Sequence, residues 1–114
     1  MKEFVKVMKA MSDPSRVKIL KLLQDKKFCV CELQALLGLA QPTISKHLKL
    51  LEDAGLVEGH KDKLWMNYSL TADNDSIYAM TILNNLKKWL NDDPEVASLR
   101  LKSLHVHRDE ICKK

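Results

Sequence analysis

No apolar run in the 114-residue sequence approaches the roughly 20 residues of a membrane span. The opening stretch MKEFVKVMKAM is interrupted by lysines and lacks the unbroken apolar segment of a secretory signal. These two absences point to a cytoplasmic protein with no membrane attachment. Cysteine is sparse, with three residues at positions 29, 31 and 112. In a reducing compartment structural disulfides are not expected, and an odd number cannot pair completely within one chain. The thiols are left as inert groups, metal ligands or redox switches. A Cys-x-x-Cys motif is missing, as are Ser/His/Asp arrangements and the spacing of metal hydrolases. Their absence argues against a small thiol enzyme or metal carrier, and the expectation is a protein that is not an enzyme. Internal repeats and low-complexity stretches are also missing, and the length suits one domain with its own core.

The chain does carry a modest excess of positive charge, 19 Lys and Arg against 15 Asp and Glu, with a pI near 9.0. Such a surface attracts polyanions in a salt-sensitive way, which permits nucleic acid without proving it. Apolar residues at helical spacing, Phe4, Val7, Met8 and Met11, predict a first helix. Ser12, Asp13 and Pro14 then make a stop and a restart, with Asp13 as cap and Pro14 at the first position of a second helix through Val17, Ile19, Leu20, Leu22 and Leu23. A short third helix follows the cysteines, with Leu33, Leu36 and Leu37 apolar, and stops at Gly38. The tight turn GLAQ leads to Pro42 and a fourth helix closing at Gly55. In LVEGHKDKLWMNYSL two strand-type runs flank the turn-prone GHKDK, so a β-hairpin with a basic tip is expected. A longer fifth helix is predicted from an apolar stripe of Ile77, Met80, Leu83, Leu86 and Leu90, ended by NDDPE, and the tail from Glu95 to Lys114 reads as one more helix.

A short helix, a four-residue turn and a second helix form a helix-turn-helix, which places its second helix in a major groove, and the hairpin straight after it is the natural wing. On the second helix Ile44, Leu48 and Leu51 share one side, while Pro42, Ser45, Lys46 and Lys49 lie towards the other. Gln41, Thr43, Ser45 and Lys46 are accordingly assigned to the groove, with Pro42 beside them, and Lys49, His60, Lys61 and Lys63 to phosphates. His47 points to the core edge, where it packs or orients the helix and does not read bases.

The ordered set SDPSRVKILKLL, CVCEL, AQPTISKHLKLLEDAGLV and NYSL resembles the arsenical-resistance repressor (ArsR) family of winged-helix metalloregulators, over roughly residues 4 to 90. The resemblance implies a mainly α winged helix-turn-helix with a small β-hairpin. It also implies a homodimer that pairs its first and long fifth helices and sits on double-stranded operator DNA as a repressor until an inducer loosens it. The apolar stripes of residues 4–11 and 77–90 are what such a dimer needs, and plain intrachain core accounts for part of each. The expected organisation is a DNA-binding and dimerisation domain over residues 1–92 and a helical tail over 93–114.

Cys29 and Cys31 are two residues apart, about 200° round a helix but on one side of an extended segment, so one ion can hold both only where the helix mouth is unwound. A soft ion bound there would distort the helix that supports the recognition helix, and a helix N-terminus lowers thiol pKa values, partly opposed by Glu32. In arsenite-responsive members of the family, a Cys-Val-Cys at this place supplies two of three sulfur ligands, and the third lies three residues after the second. This chain has Gln34 there. The expected inducer is therefore As(III) or Sb(III) on Cys29 and Cys31, with a third ligand from Cys112, from a non-protein group, or none. Zinc or cadmium is the rival inducer, and thiol oxidation is a third. His107 and Glu110 match half of a zinc pattern found in related repressors, but the other half falls on Pro94 and Val96, which cannot ligate. His105, His107, Asp109 and Cys112 form an unorthodox alternative, because residues 105, 109 and 112 share a helical face, and the competing reading of this stretch is a solvated, charged tail.

Overall fold

The break at Ser12-Asp13-Pro14 is a helix boundary built as the residues require. Asp13 is extended and its carboxylate accepts a hydrogen bond from the Arg16 backbone N–H at 3.1 Å, with Pro14 in the first turn, where its missing N–H costs nothing. The computed structural model describes residues 1–106. Along them run α1 (Lys2–Met11), α2 (Pro14–Leu23), β1 (Phe28–Cys29), α3 (Val30–Leu37), α4 (Gln41–Asp53), β2 (Val57–Asp62), β3 (Trp65–Leu70), α5 (Ile77–Leu86) and α6 (Pro94–Ser103). Gly38 ends α3 in the left-handed conformation at φ 69° and returns its N–H to the Gln34 carbonyl. The core sits where α2, α3 and α4 meet, and Ile19, Leu20, Leu33, Ile44, Leu48 and Leu51 are all buried there.

The four amino-terminal helices stand where the apolar spacing put them. Four other features depart from expectation, one of them the tail helix, which was expected from Glu95 to Lys114 and instead begins at Pro94 and ends at Ser103. A third strand exists: β1 pairs antiparallel with β3, Phe28 opposite Tyr68 and Cys29 opposite Asn67, so the sheet order is β1-β3-β2. The hairpin turn lies at Lys63 and Leu64, at the very end of GHKDK and one residue past it, with Lys63 at φ 56°. Gly59 belongs to β2 instead, because a Cβ there would stand 3.0 Å from the Tyr68 ring that crosses it. The fifth helix stops at Leu86, four residues before the end of its apolar stripe, and Leu90 takes a left-handed φ of 65°.

Lys21 accounts for that early stop. It is 1% exposed, and its Nζ donates to the carbonyls of Leu86 and Trp89, each at 2.9 Å, and to Asn91 Oδ1 at 2.8 Å. All three ammonium protons are used, two of them on carbonyls that a longer helix would have kept for itself. Burial and then the nearby Arg100 push the Lys21 pKa below the ordinary lysine value, with Asp25 opposing. The same corner fastens α6: Arg100 forks onto Asp25 through Nε at 2.9 Å and Nη2 at 2.6 Å and reaches Asn91 Oδ1 at 3.1 Å, and Lys18 pairs with Glu95. Asp93 caps α6 by accepting from the Val96 N–H at 3.0 Å.

Gly55 closes α4 at φ 79°, and a Cβ there would meet Asn74 Nδ2 at 2.6 Å. Asn74 is itself committed, donating to the Gly55 carbonyl at 3.3 Å and accepting from the Ser76 N–H at 2.6 Å just before α5. Gly55→Ala should therefore cost about 2 kcal/mol, more than the left-handed backbone alone demands. Urea melts of Gly55→Ala and Gly38→Ala separate the two effects. Gly38 shares the backbone conformation but has nothing within 4 Å of an added Cβ, so its variant should lose only about 1 kcal/mol.

Candidate functional site

The α3–turn–α4 unit presents a helix whose two sides differ in the way a DNA reader requires. Ile44, Leu48 and Leu51 are buried against the core, while Gln41, Pro42, Thr43, Ser45, Lys46 and Lys49 are exposed. Gln41 is the first helical residue, one earlier than expected, because the Ala40 carbonyl accepts from the N–H groups of both Thr43 and Ile44 at 3.1 Å. Lys49 lies 3.2 Å from Asp53 one turn on, and His60 Nε2 lies 3.4 Å from Glu58 Oε2. Such exposed pairs are weak and exchange readily for a phosphate. Lys61 is exposed on β2, and Lys63 is exposed at the turn beside Leu64, so the tip is basic, with the turn at the end of the expected stretch.

His47 is half-buried, between α4 and the start of α2. Its Nδ1 lies 3.2 Å from Arg16 Nη1, and because a guanidinium only donates, Nδ1 is the acceptor and the ring proton sits on Nε2, 3.9 Å from Asp13 Oδ2. Arg16 also donates from Nε to the Ala10 carbonyl at 2.9 Å and from Nη2 to the Lys9 carbonyl at 3.1 Å. One side chain thus ties the end of α1 to the recognition helix. The Arg16 and Lys21 anchors escaped the sequence reading. Lys21 left a signal there, since it falls on the same helical side as Val17 and Leu20, where a charge needs partners.

Cys29 and Cys31 straddle the strand–helix junction. Cys29 ends β1 with an extended backbone (φ −90°, ψ 171°) and caps α3, while Cys31 is half-buried in the first turn. The Cys29 N–H donates to Glu32 Oε1 at 2.9 Å, which closes a capping box. Cys29 is a buried thiol and Cys31 is disulfide-bonded. The bond at Cys31 departs from the expectation that disulfides are absent, and of the three roles left open for the thiols it matches the redox switch. The expected lowering of the Cys29 pKa is also overturned: burial pushes it up, the Glu32 backbone N–H pulls the other way, and the Glu32 carboxylate adds to the rise. Desolvation of a thiolate outweighs one helix terminus.

Across the sheet Cys29 faces Asn67, and Asn67 faces His60. One rung therefore separates the buried thiol from the wing's central strand, and two separate it from a wing residue expected on phosphate. Gln34, at the family's third-ligand position, is half-buried on α3. Pro94 and the buried Val96 occupy the first turn of α6, and His105 is exposed beyond its end. Cys112, His107, Asp109 and Glu110 lie outside the described residues. Among the described residues no group of three or more His, Cys, Asp or Glu is gathered to hold a metal ion, and no helix is long and apolar enough to cross a membrane.

The model of the arsR family of bacterial regulatory proteins matches residues 13–59, the segment from the α2 cap into β2. An arsenical resistance operon repressor from Staphylococcus aureus is 38% identical over 85 residues, covering 73% of this chain and 82% of that one. The solved structure of reduced HlyU from Vibrio cholerae N16961 superposes with a TM-score of 0.63 at 31% identity, over 76% of this chain and 87% of that one. The homodimeric winged helix-turn-helix domain of Mb0332 from Mycobacterium bovis superposes with a TM-score of 0.65 over 93% of this chain and 88% of that one, and at 23% identity it establishes the fold. A helix-turn-helix with its polar side outward, a wing beside it and these relatives describe a DNA-binding transcriptional regulator, not an enzyme. The chain belongs to the arsR family of bacterial regulatory proteins.

Proposed function

We propose that the protein is a homodimeric repressor that holds operator DNA through α4 and the β2–β3 hairpin and lets go when trivalent arsenic or antimony binds the thiolates of Cys29 and Cys31. The observation that carries this is the junction itself. Cys29 is already extended while Cys31 is one residue inside α3, so an ion drawing both sulfurs together must unwind the first turn and break the capping box. The same pull loosens β1 from β3, because Cys29 is half of that two-residue strand. Both consequences converge on DNA: α3 packs on α4, and β3 is the inner strand of the wing.

The raised Cys29 pKa belongs to this mechanism. A soft ion binds the thiolate, so binding releases a proton and favours the conformation in which Cys29 is less buried. Gln41, Thr43, Ser45 and Lys46, with Pro42 at their side, meet the major groove, and Lys49, His60, Lys61 and Lys63 meet phosphates. The third ligand is Cys112 or a non-protein group. Exposed apolar residues on α1 and α5, Phe4, Ile77 (70% exposed) and Tyr78, form the dimer contact, with Phe4 and Tyr78 already stacked edge to face at 5.3 Å.

The test is fluorescence anisotropy on labelled DNA from upstream of the protein's own gene, at fixed salt and under reductant. Cys29→Ser and Cys31→Ser should bind this DNA within about threefold of the parent yet lose release by arsenite. Release that persists in both variants overturns the thiol site.

A second reading is favoured by the disulfide at Cys31 and by the likeness to reduced HlyU. Here Cys31 and a second thiol give up two protons and two electrons to hydrogen peroxide, forming the disulfide and two waters, and the oxidised repressor leaves DNA. Release by peroxide, reversed by dithiothreitol and absent with arsenite, would select this reading over the first.

A further inference from the structure

We propose that α1 provides a second DNA-binding surface, in which Lys6 and Lys9, extended by Lys2, hold the phosphodiester backbone of the operator beside the recognition helix. Lys2, Lys6 and Lys9 are spaced four and three apart, which gathers them into about 60° of arc on one side of α1. All three are exposed, whereas Val7 is buried and Met11 packs against the core from the other side. Among the described residues none of the three lysines joins the ion pairs that occupy Lys18, Lys49 and Arg100.

The stripe is continuous with the surface that reads DNA. A groove of about 320 Å³ is lined by Lys6, Lys9, Ala10, Arg16, Leu50 and Asp53. A neighbouring one of about 420 Å³ is lined by Arg16, Pro42, Thr43, Lys46, His47 and Leu50. They share Arg16 and Leu50, so the two grooves lie side by side along the flank of α4, from Lys6 at one end to Lys46 at the other. Four cations, Lys6, Lys9, Arg16 and Lys46, border the two grooves against one lining carboxylate, Asp53. Adjoining grooves with that charge, the second opening beside Thr43 and Lys46, fit a polyanion lying along α4. The polyanion that α4 engages is the operator strand.

This proposal rests on the DNA-reading role given to α4, and the experiment separates the two. Salt titrations of operator affinity compare the parent with Lys6→Gln/Lys9→Gln, Lys6→Arg/Lys9→Arg and Lys46→Gln. Each phosphate that goes unneutralised lowers the steepness of log K against log salt by about 0.9, so a dimer without these four lysine charges should fall by about 3.6, with roughly tenfold weaker binding or more. The arginine double variant should keep the parent slope. If Lys46→Gln weakens binding while Lys6→Gln/Lys9→Gln leaves slope and affinity unchanged, the α1 surface is overturned and the role of α4 stands. If neither variant affects binding, both fall.

Discussion

Replacing Lys21 with alanine should lower the stability of the folded chain by about 3–4 kcal/mol and its melting temperature by roughly 12 °C or more. The substitution removes a charged donor at 2.8–2.9 Å from each of three acceptors; the Leu86 carbonyl keeps only the Trp89 N–H, Asn91 Oδ1 keeps only Arg100, and the Trp89 carbonyl loses its bond to the ammonium outright. It also removes the buried stem of a side chain that is 1% exposed. Lys21→Met keeps the stem and loses only the donors, so it should recover about 1 kcal/mol of packing. Urea denaturation of both variants checks the account, and an alanine variant within about 1 kcal/mol of the parent would refute it. The damage should be structural before it is functional, since the end of α5 and the segment after it lose their fastening to α2 while α4 keeps its own place in the core.

Arg16→Ala should cost about 2–3 kcal/mol and weaken operator binding as well, because it removes the hydrogen bonds that join the Lys9 and Ala10 carbonyls to His47 on the recognition helix. Arg16→Lys should rescue little, since one ammonium cannot span three acceptors held by a planar fork. A double-mutant cycle with His47→Ala isolates the shared part: if Arg16 acts on α4 through the imidazole, the two reductions in affinity should be far from additive. Simple addition would mean that Arg16 stabilises only the corner between α1 and α2.

These two anchors mark the limit of what the sequence discloses. The helix-turn-helix was legible because its signals are local: Asp13 and Pro14 start α2, Gly38 ends α3, and the apolar residues of α4 repeat at helical spacing. The strand β1 was not, because two residues are too few for an alternating pattern and their partner lies almost 40 positions away. The hairpin turn falls at the end of the turn-prone stretch because Gly59, the residue that turn rules favour, serves the close approach of Tyr68, while Lys63 accepts a positive φ without glycine's freedom. The end of α5 depends on an ammonium group 65 residues earlier in the chain. At the thiols, the residue types and the spacing were visible, but the burial that raises the Cys29 pKa comes from tertiary packing.

The rung from Cys29 through Asn67 to His60 has a thermodynamic corollary. On the proposed mechanism, an ion at the thiols and a duplex at the wing compete for the state of one short ladder, and linkage makes their antagonism mutual. Whatever factor the inducer takes from DNA affinity, bound DNA takes from inducer affinity. Repressor already seated on its operator is then the poorest metalloid ligand in the cell, and idle copies fill first. The threshold at which the gene opens would rise with the amount of spare repressor, so a cell could retune its sensitivity by changing protein number alone, with no change at either site.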